Sequence, residues 1–361
     1  MATERKYNLD LLRVLSMVFV VSLHYLGVGG AYYNVYDGDL SQITVNFIAA
    51  STIEALAVVG VNCFVLISGY FLITSTFKSR KIFDLYLNTI FYSIIFFVLN
   101  TILFDFGVPD LLKSVLPILM STYWFITVYV ALYLVSPYIN KLCENMTQKQ
   151  HLTLIIILLC VFSLWKSILP IAETIDTRKG YSLTWFIVLY LVGAYTRKYN
   201  VQLFKRNSLN LLSYFAISFV SVFVKLMAIA ASTKISMLAE GQNLFYHYDS
   251  ITVFSASVFL FVFFSRLNVN SPKIGKIVNF VTPSVFSVYI MHENFLWRER
   301  LWNDFLKASD MKESPWFVLH LLGCVALVFV VCILVDQIRR YLFKVISTLV
   351  RSMRGKAKDE Q

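Results

Sequence analysis

Residues 9–28 read LDLLRVLSMVFVVSLHYLGV, a run of twenty in which the only Asp, Glu, Lys, Arg or His residues are Asp10, Arg13 and His24. An α-helix needs about 20 predominantly apolar residues to cross a hydrocarbon core. The run is long for the apolar part of a cleaved signal, and no small-residue cleavage site follows it. It therefore predicts a permanent first transmembrane helix.

Apolar runs of this kind recur along the whole chain. They lie at residues 50–73, 82–104, 118–139, 151–170, 182–196, 209–231, 250–265, 279–296 and 315–337. The chain is 58% hydrophobic and 15% charged, whereas soluble domains carry roughly 25% charged residues. We predict an all-α polytopic membrane protein, a single domain over residues 1–338 with a bundle of about ten transmembrane helices. Residues 339–361 are predicted to form a basic cytoplasmic tail, with a membrane-surface helix and then a disordered end.

The Lys and Arg residues are distributed unevenly between alternate loops. Of the 32, 21 fall on the side that carries both termini and nine on the other, while Arg13 and Lys225 lie within predicted helices. Because basic residues mark cytoplasmic loops, both termini are predicted to be cytoplasmic. The formal charge of +11 then reflects topology and gives no reason to expect nucleic-acid binding. The five cysteines have neither a metal-ligand spacing nor a disulfide pattern.

Three polar side chains in the first predicted helix are candidates for catalysis, since ionisable groups in the hydrocarbon region are costly. Arg13 and His24 are separated by about three turns plus ~20°, so they share one helix face roughly 16 Å apart. Asp10 lies within about 60° of Arg13 on the same geometry. The structural alternatives are snorkelling of Asp10 and Arg13 at the helix end and a hydrogen bond from His24 to a neighbouring helix.

The end of the second run suggests a cytoplasmic binding site. Ser68 and Gly69 are small enough to permit close helix approach. The cations that follow, Lys78, Arg80 and Lys81, suit phosphate groups. Their alternative interpretation is that they only set the topology.

Two sets of residues are predicted toward the outer face. Tyr123 and Trp124 open the fourth run, where an aromatic belt is the alternative interpretation. His292 and Glu293 end the ninth run, and either is suited to line an outward-facing cavity. The amphipathic stretch 297–313 is predicted to lie in the membrane interface.

Four blocks of the sequence resemble the integral-membrane acyltransferase 3 family. They are Leu9-Asp10-Leu11-Leu12-Arg13 followed after ten intervening residues by His24, VNCFVLISGYFLI at 61–73, Tyr123-Trp124-Phe125-Ile126, and Ser287-Val288-Tyr289-Ile290-Met291-His292. They occur in the family's order and span nearly the whole chain. Asn62 and Cys63 stand where the family often has Asp and Phe.

The resemblance implies a ten-helix acyltransferase of the bacterial plasma (inner) membrane that takes acyl groups from cytoplasmic acyl-CoA. In many relatives the acceptor is a sugar hydroxyl of a capsule, exopolysaccharide or other surface polymer. We therefore expect an O-acetyltransferase with acetyl-CoA as co-substrate and no bound cofactor or metal. The expected partners are acyl-CoA, a polysaccharide or lipid-linked saccharide acceptor, and membrane lipids, with no nucleic acid.

Roles for the candidate residues follow from this resemblance and from their chemistry. His24 is expected to be the general base or the nucleophile, because the pKa of imidazole is near neutrality, about 6.5. Arg13 and Asp10 would tune the inner vestibule around it. Donor binding is assigned to Arg80, Lys78, Lys81, Ser68 and Gly69, and the acceptor side to Tyr123, Trp124, His292 and Glu293.

This arrangement would hold an imidazole midway across the membrane, reached by a thioester from the cytoplasm and by a sugar alcohol from outside. A general base and a covalent acyl-histidine are equally compatible with it. A transporter or flippase for lipid-linked sugars is the main alternative, although the sequence shows no inverted repeat of the kind that such proteins have. O-succinyl transfer is an alternative within the enzyme hypothesis.

Overall fold

The structure is a computed structural model that describes residues 7–35, 39–104, 107–168, 176–235 and 237–359. Within these ranges the chain forms helices and no β-strand. The α-helices are α1 (Tyr7–Gly27), α2 (Val45–Ala57), α3 (Val59–Leu72), α4 (Ser79–Leu103), α5 (Val108–Val115), α6 (Trp124–Glu144), α7 (Gln148–Leu159), α8 (Trp165–Ile168), α9 (Leu183–Tyr199), α10 (Asn207–Ser232), α11 (Met237–Glu240), α12 (Ile251–Ser265), α13 (Pro272–Val281), α14 (Val285–His292) and α15 (Phe317–Asp359).

Nine helical segments of the described residues are long and apolar enough to cross a membrane. They correspond to nine of the ten predicted runs, and the prediction of an all-helical membrane bundle is confirmed. The remaining run, the sixth, forms α9, which has 17 residues, at the lower end of the roughly 17–25 residues of a membrane-crossing helix. Most of its side chains are buried, including Trp185, Phe186 and Tyr190. This short helix therefore packs inside the bundle.

Helix α1 occupies an internal position in the bundle. It contacts α2, α3, α12, α13, α14 and α15. Its polar residues Asn8, Asp10 and Ser16 are buried in protein, as expected for polar groups that have no hydrogen-bonding partner in lipid. The sequence stripe that carries Arg13 and His24 is thereby placed among other helices.

Close contact between α3 and α9 depends on glycine. A Cβ added to Gly69 would lie 2.2 Å from the carbonyl oxygen of Tyr190, and one added to Gly193 would lie 2.2 Å from that of Leu66. Small residues allow the two backbones to approach closely. In a membrane the hydrophobic effect does not draw helices together, so van der Waals packing of this kind stabilises their association. Gly69 thus lies at a helix–helix contact.

We expect Gly69→Ala to destabilise the protein by about 2 kcal/mol, because the added methyl group must push two backbones apart. Thermal unfolding of detergent-solubilised protein, followed by size-exclusion chromatography, measures this change. Gly323→Ala is the matched control, since a Cβ at Gly323 meets nothing within 4 Å. Equal stability of the two variants would contradict the packing role.

The last helix runs without interruption through the predicted boundary at residue 338 and ends at Asp359. Its first part, Phe317–Thr348, is apolar enough to cross a membrane. The division into a span and a surface helix stays a prediction. Residues 360–361, part of the predicted disordered end, lie outside the described residues.

The segment between α14 and α15 packs on the bundle. Trp302 is fully buried, and its ring lies 5.8 Å from that of Tyr25 on α1. This segment therefore covers the end of α1 that carries His24. The location of 297–313 in the membrane interface stays a prediction.

Candidate active site

Two histidines from opposite ends of the sequence meet at the ends of α1 and α14. His24 Nδ1 lies 2.8 Å from His292 Nε2 and 3.4 Å from Glu293 Oε2. Arg298 Nη1 donates to Glu293 Oε1 at 2.7 Å. His292 is almost completely buried, whereas 21% of the His24 side chain is exposed. The four residues form one continuous polar cluster.

The hydrogen-bond network determines the tautomers of the two imidazoles. His292 Nδ1 lies 2.5 Å from the carbonyl oxygen of Val288, which can only accept, so Nδ1 carries the proton and Nε2 is the acceptor. His24 Nδ1 must then donate to His292 Nε2. The lone pair of His24 is consequently on Nε2, which makes no hydrogen bond to the described residues. A neutral His24 thus presents a basic, nucleophilic nitrogen.

Several buried polar atoms near the two imidazoles have no hydrogen-bond partner among the described residues. They are the Tyr289 hydroxyl, Glu293 Oε2 and Trp302 Nε1. The Tyr289 ring lies 6.5 Å from the His24 ring, and the Trp302 ring lies 6.4 Å from that of His292. Since buried polar groups are normally paired, such atoms call for an explanation. Their concentration at one place favours a ligand site.

The electrostatics at Glu293 follow from its surroundings. Burial raises the pKa of the Glu293 carboxyl above its ordinary value, and the neighbouring His292 and Arg298 oppose that rise. The ion pair with Arg298 holds one carboxylate oxygen. The other oxygen faces His24. A carboxylate in this position stabilises positive charge on the imidazole.

The positions of these residues depend on where two helices end. Helix α14 ends at His292, and Glu293 follows as its C-cap, so the adjacent side chains both reach His24 although neighbours on a helix face differently. His24 is in the last turn of α1, which ends at Gly27. His24 therefore lies near the C-terminal end of α1, which the loop charges predict to be the outer end. Its depth in the membrane stays a prediction.

The predicted acceptor residues of α6 lie beside this cluster. Tyr123 is buried and its hydroxyl accepts a hydrogen bond from Asn294 Nδ2 at 2.8 Å. Its ring lies 6.0 Å from that of Tyr289. Trp124 is farther from the histidines and packs at 4.4 Å on the ring of Tyr181. Four predicted acceptor-side residues, those two with His292 and Glu293, thus lie on the His24 side of the bundle.

Asp10 and Arg13 form an ion pair near the other end of α1. The guanidinium of Arg13 lies 5.0 Å from the centroid of the Phe71 ring, and 31% of its side chain is exposed. Along the helix, Arg13 is about 16 Å from His24. The two sites are therefore separate, and the distance between them is that of an extended substrate rather than a direct contact.

A cavity of about 470 Å³ lies between the ends of α3 and α6, and its lining includes Lys141 but none of the predicted donor residues. Tyr133 lines this cavity, and its hydroxyl bonds to the backbone of Lys78. Lys81 Nζ lies 5.8 Å from the centroid of the Tyr133 ring. Arg80 is more remote, since 86% of its side chain is exposed and its ion pair with Asp84 spans 3.7 Å.

The two small residues of the predicted donor site have local roles. Ser68 donates to the carbonyl oxygen of Phe64 within α3 at 2.8 Å, and Gly69 contacts α9 as described above.

Among the described residues no group of three His, Cys, Asp or Glu side chains is arranged to hold a metal.

Sequence reasoning missed Arg298, which was counted only as a loop charge. Its spacing of five residues after Glu293 was the available signal, but it becomes informative only when the chain is known to fold back after α14. Tyr289 was seen as part of a sequence block, and its unpaired hydroxyl could not be anticipated.

Comparison with known proteins identified one matching family. The sequence profile of the acyltransferase 3 family, described as an acyltransferase domain, matches residues 6–349. Comparisons with curated proteins and with solved structures each found no match. The matched region includes both histidines, the Asp10–Arg13 pair and every described transmembrane segment. The chain belongs to the acyltransferase 3 family of integral-membrane acyltransferases.

Proposed function

We propose that the protein transfers an acetyl group from cytoplasmic acetyl-CoA to a hydroxyl of a cell-surface polysaccharide or its lipid-linked precursor. The proposed location is the bacterial inner membrane. Membership of the acyltransferase 3 family supports acyl transfer as the reaction type. The donor, the acceptor and the acyl group are our inference from the two sites at opposite ends of α1.

The observation that supports this proposal best is the free Nε2 of His24. Its neighbour His292 fixes the tautomer, and the Glu293 carboxylate lies 3.4 Å from Nδ1. An imidazole oriented by a carboxylate recurs wherever a hydroxyl must be activated for acyl transfer. A histidine with only a structural role would need neither the fixed tautomer nor the nearby carboxylate.

Two reaction routes use the same nitrogen. As a general base, Nε2 takes the proton of the sugar hydroxyl while its oxygen attacks the thioester carbonyl, and the CoA thiolate leaves. As a nucleophile, Nε2 attacks the thioester carbonyl, the CoA thiolate leaves, and an acyl-imidazolium forms. The sugar oxygen then attacks the acyl group, the bond to Nε2 breaks, and the freed imidazole takes up the hydroxyl proton. In both routes the imidazole gains positive charge that Glu293 stabilises, and the leaving thiolate recovers a proton.

The donor would enter from the side of the Asp10–Arg13 pair. The cavity beside Tyr133 and the basic residues Lys78, Lys81 and Arg80 would hold the CoA phosphates, since cations favour phosphate binding. The extended pantetheine arm would then span the roughly 16 Å of helix rise between Arg13 and His24.

We expect Arg80→Ala to raise the KM for acetyl-CoA about threefold with little change in kcat, because the side chain is exposed and its charge is screened by solvent. Initial rates in membranes at varied acetyl-CoA concentration measure this change. Arg340→Ala, a basic residue of α15, is the control. An unchanged KM would remove Arg80 from the donor site.

The function is tested by analysing the surface polymer of cells with and without the gene. NMR and mass spectrometry of the purified polymer should show O-acetyl groups only when the gene is present. O-succinyl groups in their place would change the assigned acyl group. Identical polymers, together with altered export of the lipid-linked precursor, would contradict the proposal and favour a transporter.

A further inference from the structure

A cluster of three aromatic rings lies next to the histidine site. The ring centroids of Trp124 and Tyr181 are 4.4 Å apart, those of Tyr181 and Tyr248 are 5.0 Å apart, and those of Trp124 and Tyr248 are 6.1 Å apart at an interplanar angle of 25°. Tyr181 is 43% exposed. We call these three residues the aromatic platform.

Specific contacts hold the platform in place. Aromatic residues that only formed a belt at the membrane interface would not need such contacts. Asn62 is fully buried and its Nδ2 donates to the Tyr248 carbonyl oxygen at 2.8 Å. Gly180 has φ +90°, and a Cβ there would lie 2.5 Å from that of Tyr248. Only glycine adopts this conformation readily. The residue after it is Tyr181, so the backbone is shaped to place that ring.

A buried ion pair fixes the two loops that carry the tyrosines. Lys166 Nζ lies 2.9 Å from Asp249 Oδ2, and the Thr177 hydroxyl donates to the same oxygen. Asp249 is 1% exposed. A buried charge is costly unless it is paired and hydrogen-bonded. These contacts of Asp249 therefore hold the two loops in a defined position.

Aromatic contacts connect the platform to His24. The ring of Trp124 lies 5.8 Å from that of Phe125, and the ring of Phe125 lies 6.0 Å from that of Tyr289. Tyr289 neighbours His24 and has the unpaired hydroxyl noted above. Two side chains, Phe125 and Tyr289, therefore connect the platform to His24.

A carboxylate lies near the platform. Glu54 on α2 is partly buried and makes no hydrogen bond or ion pair within the described part of the chain. Desolvation raises the pKa of the Tyr181 hydroxyl, and the carboxylates of Glu54 and Glu293 add to that rise. The hydroxyl thus lies within electrostatic reach of both carboxylates.

The nearest buried cation does not engage Glu54 directly. Lys225 is fully buried, and its Nζ donates to the Tyr32 hydroxyl at 2.7 Å and to Asn243 Oδ1 at 3.0 Å. It also lies 4.0 Å from the centroid of the Tyr32 ring. Lys225 and Glu54 therefore interact electrostatically without forming a direct ion pair.

We propose that the aromatic platform forms a subsite for a neutral sugar ring of the acceptor, near the sugar whose hydroxyl is acylated. This inference rests on the function proposed above. The C–H face of a sugar ring packs on aromatic faces, and its hydroxyls donate to carboxylates. A uronic acid is disfavoured, since its charge would face Glu54 and Glu293.

The test uses the full chain in nanodiscs with polymer purified from a strain that lacks the gene. Binding is measured by calorimetry, and transfer is measured with radiolabelled acetyl-CoA. We expect Tyr181→Ala to weaken polymer binding and to raise the KM for polymer about tenfold, with kcat within about twofold. Tyr181→Phe keeps the ring and should retain most of the binding. Tyr138→Ala, which removes a 77% exposed tyrosine elsewhere on the bundle, is the matched control.

The outcomes separate the subsite from the proposed function. Tyr181-dependent binding without any acetyl transfer would support the subsite and refute the function. Transfer by the wild type with an unchanged KM and affinity in Tyr181→Ala would refute the subsite and leave the function standing. A Tyr181→Ala variant that loses kcat and folded protein together, with KM unchanged, would show a structural role and also overturn the subsite. Absence of both binding and transfer would overturn both.

Discussion

His24→Ala should lower acyl transfer by about a thousandfold while the protein still inserts and folds. Removing a positioned acid–base group costs about 10²–10⁴ in rate, and a lost nucleophile costs at least as much. The imidazole has no substitute, because His292 donates its only proton to Val288 and is almost fully buried. The measurement is transfer of radiolabelled acetyl groups to purified polymer, with the amount of folded protein determined by size-exclusion chromatography.

His151→Gln is the control for this substitution. His151 is also buried, but it lies at the start of α7, where its Nε2 is 3.2 Å from the Leu191 carbonyl oxygen. A glutamine amide can donate to that oxygen, so activity should be retained. Transfer by His24→Ala at more than a tenth of the wild-type rate would show that another group performs the chemistry.

Glu293→Gln should lower kcat by about a hundredfold with little change in the KM for acetyl-CoA. Glutamine keeps the size of the side chain but removes the charge that stabilises the imidazolium, which forms only as the reaction proceeds. A group that acts only in the transition state affects kcat and kcat/KM alike. Initial rates at saturating acceptor measure this effect.

Glu299→Gln is the matched control, since that carboxylate is exposed in the same segment. Arg298 would lose its partner in Glu293→Gln, so folded yield must be compared as well. A wild-type kcat for Glu293→Gln would mean that the carboxylate serves only to hold Arg298. An increased KM with unchanged kcat would place Glu293 in substrate binding instead.

The helices were largely predictable from sequence because an apolar run long enough to cross a membrane has few alternative structures. The sixth run also forms a helix, the 17-residue α9, and most of its side chains are buried by neighbouring helices. The packing of 297–313 on the bundle could not be predicted from its sequence. Its amphipathic pattern fits lipid and protein equally well, and burial of Trp302 is decided by the fit against Tyr25.

The candidate site was predicted only in part. Arg13 and His24 were identified because ionisable groups are costly in the hydrocarbon region and because their spacing places them on one helix face. The meeting of His24 with His292 joins residues 268 positions apart, and no local pattern encodes such a contact. The pairing of Glu293 with Arg298 depends on a turn after α14. Gly69, assigned to the donor site from its neighbours in sequence, lies against the Tyr190 backbone.

The central claim is that one imidazole, His24, promotes transfer of an acyl group from a donor on one side of the membrane to an acceptor on the other. Inside-out membrane vesicles, with deacylated polymer trapped in the lumen and radiolabelled acetyl-CoA added outside, test it most directly. We predict label in the luminal polymer with the wild-type protein and none above background with His24→Ala. Equal labelling by the two proteins, or labelling only when donor and polymer share a compartment, would contradict the claim.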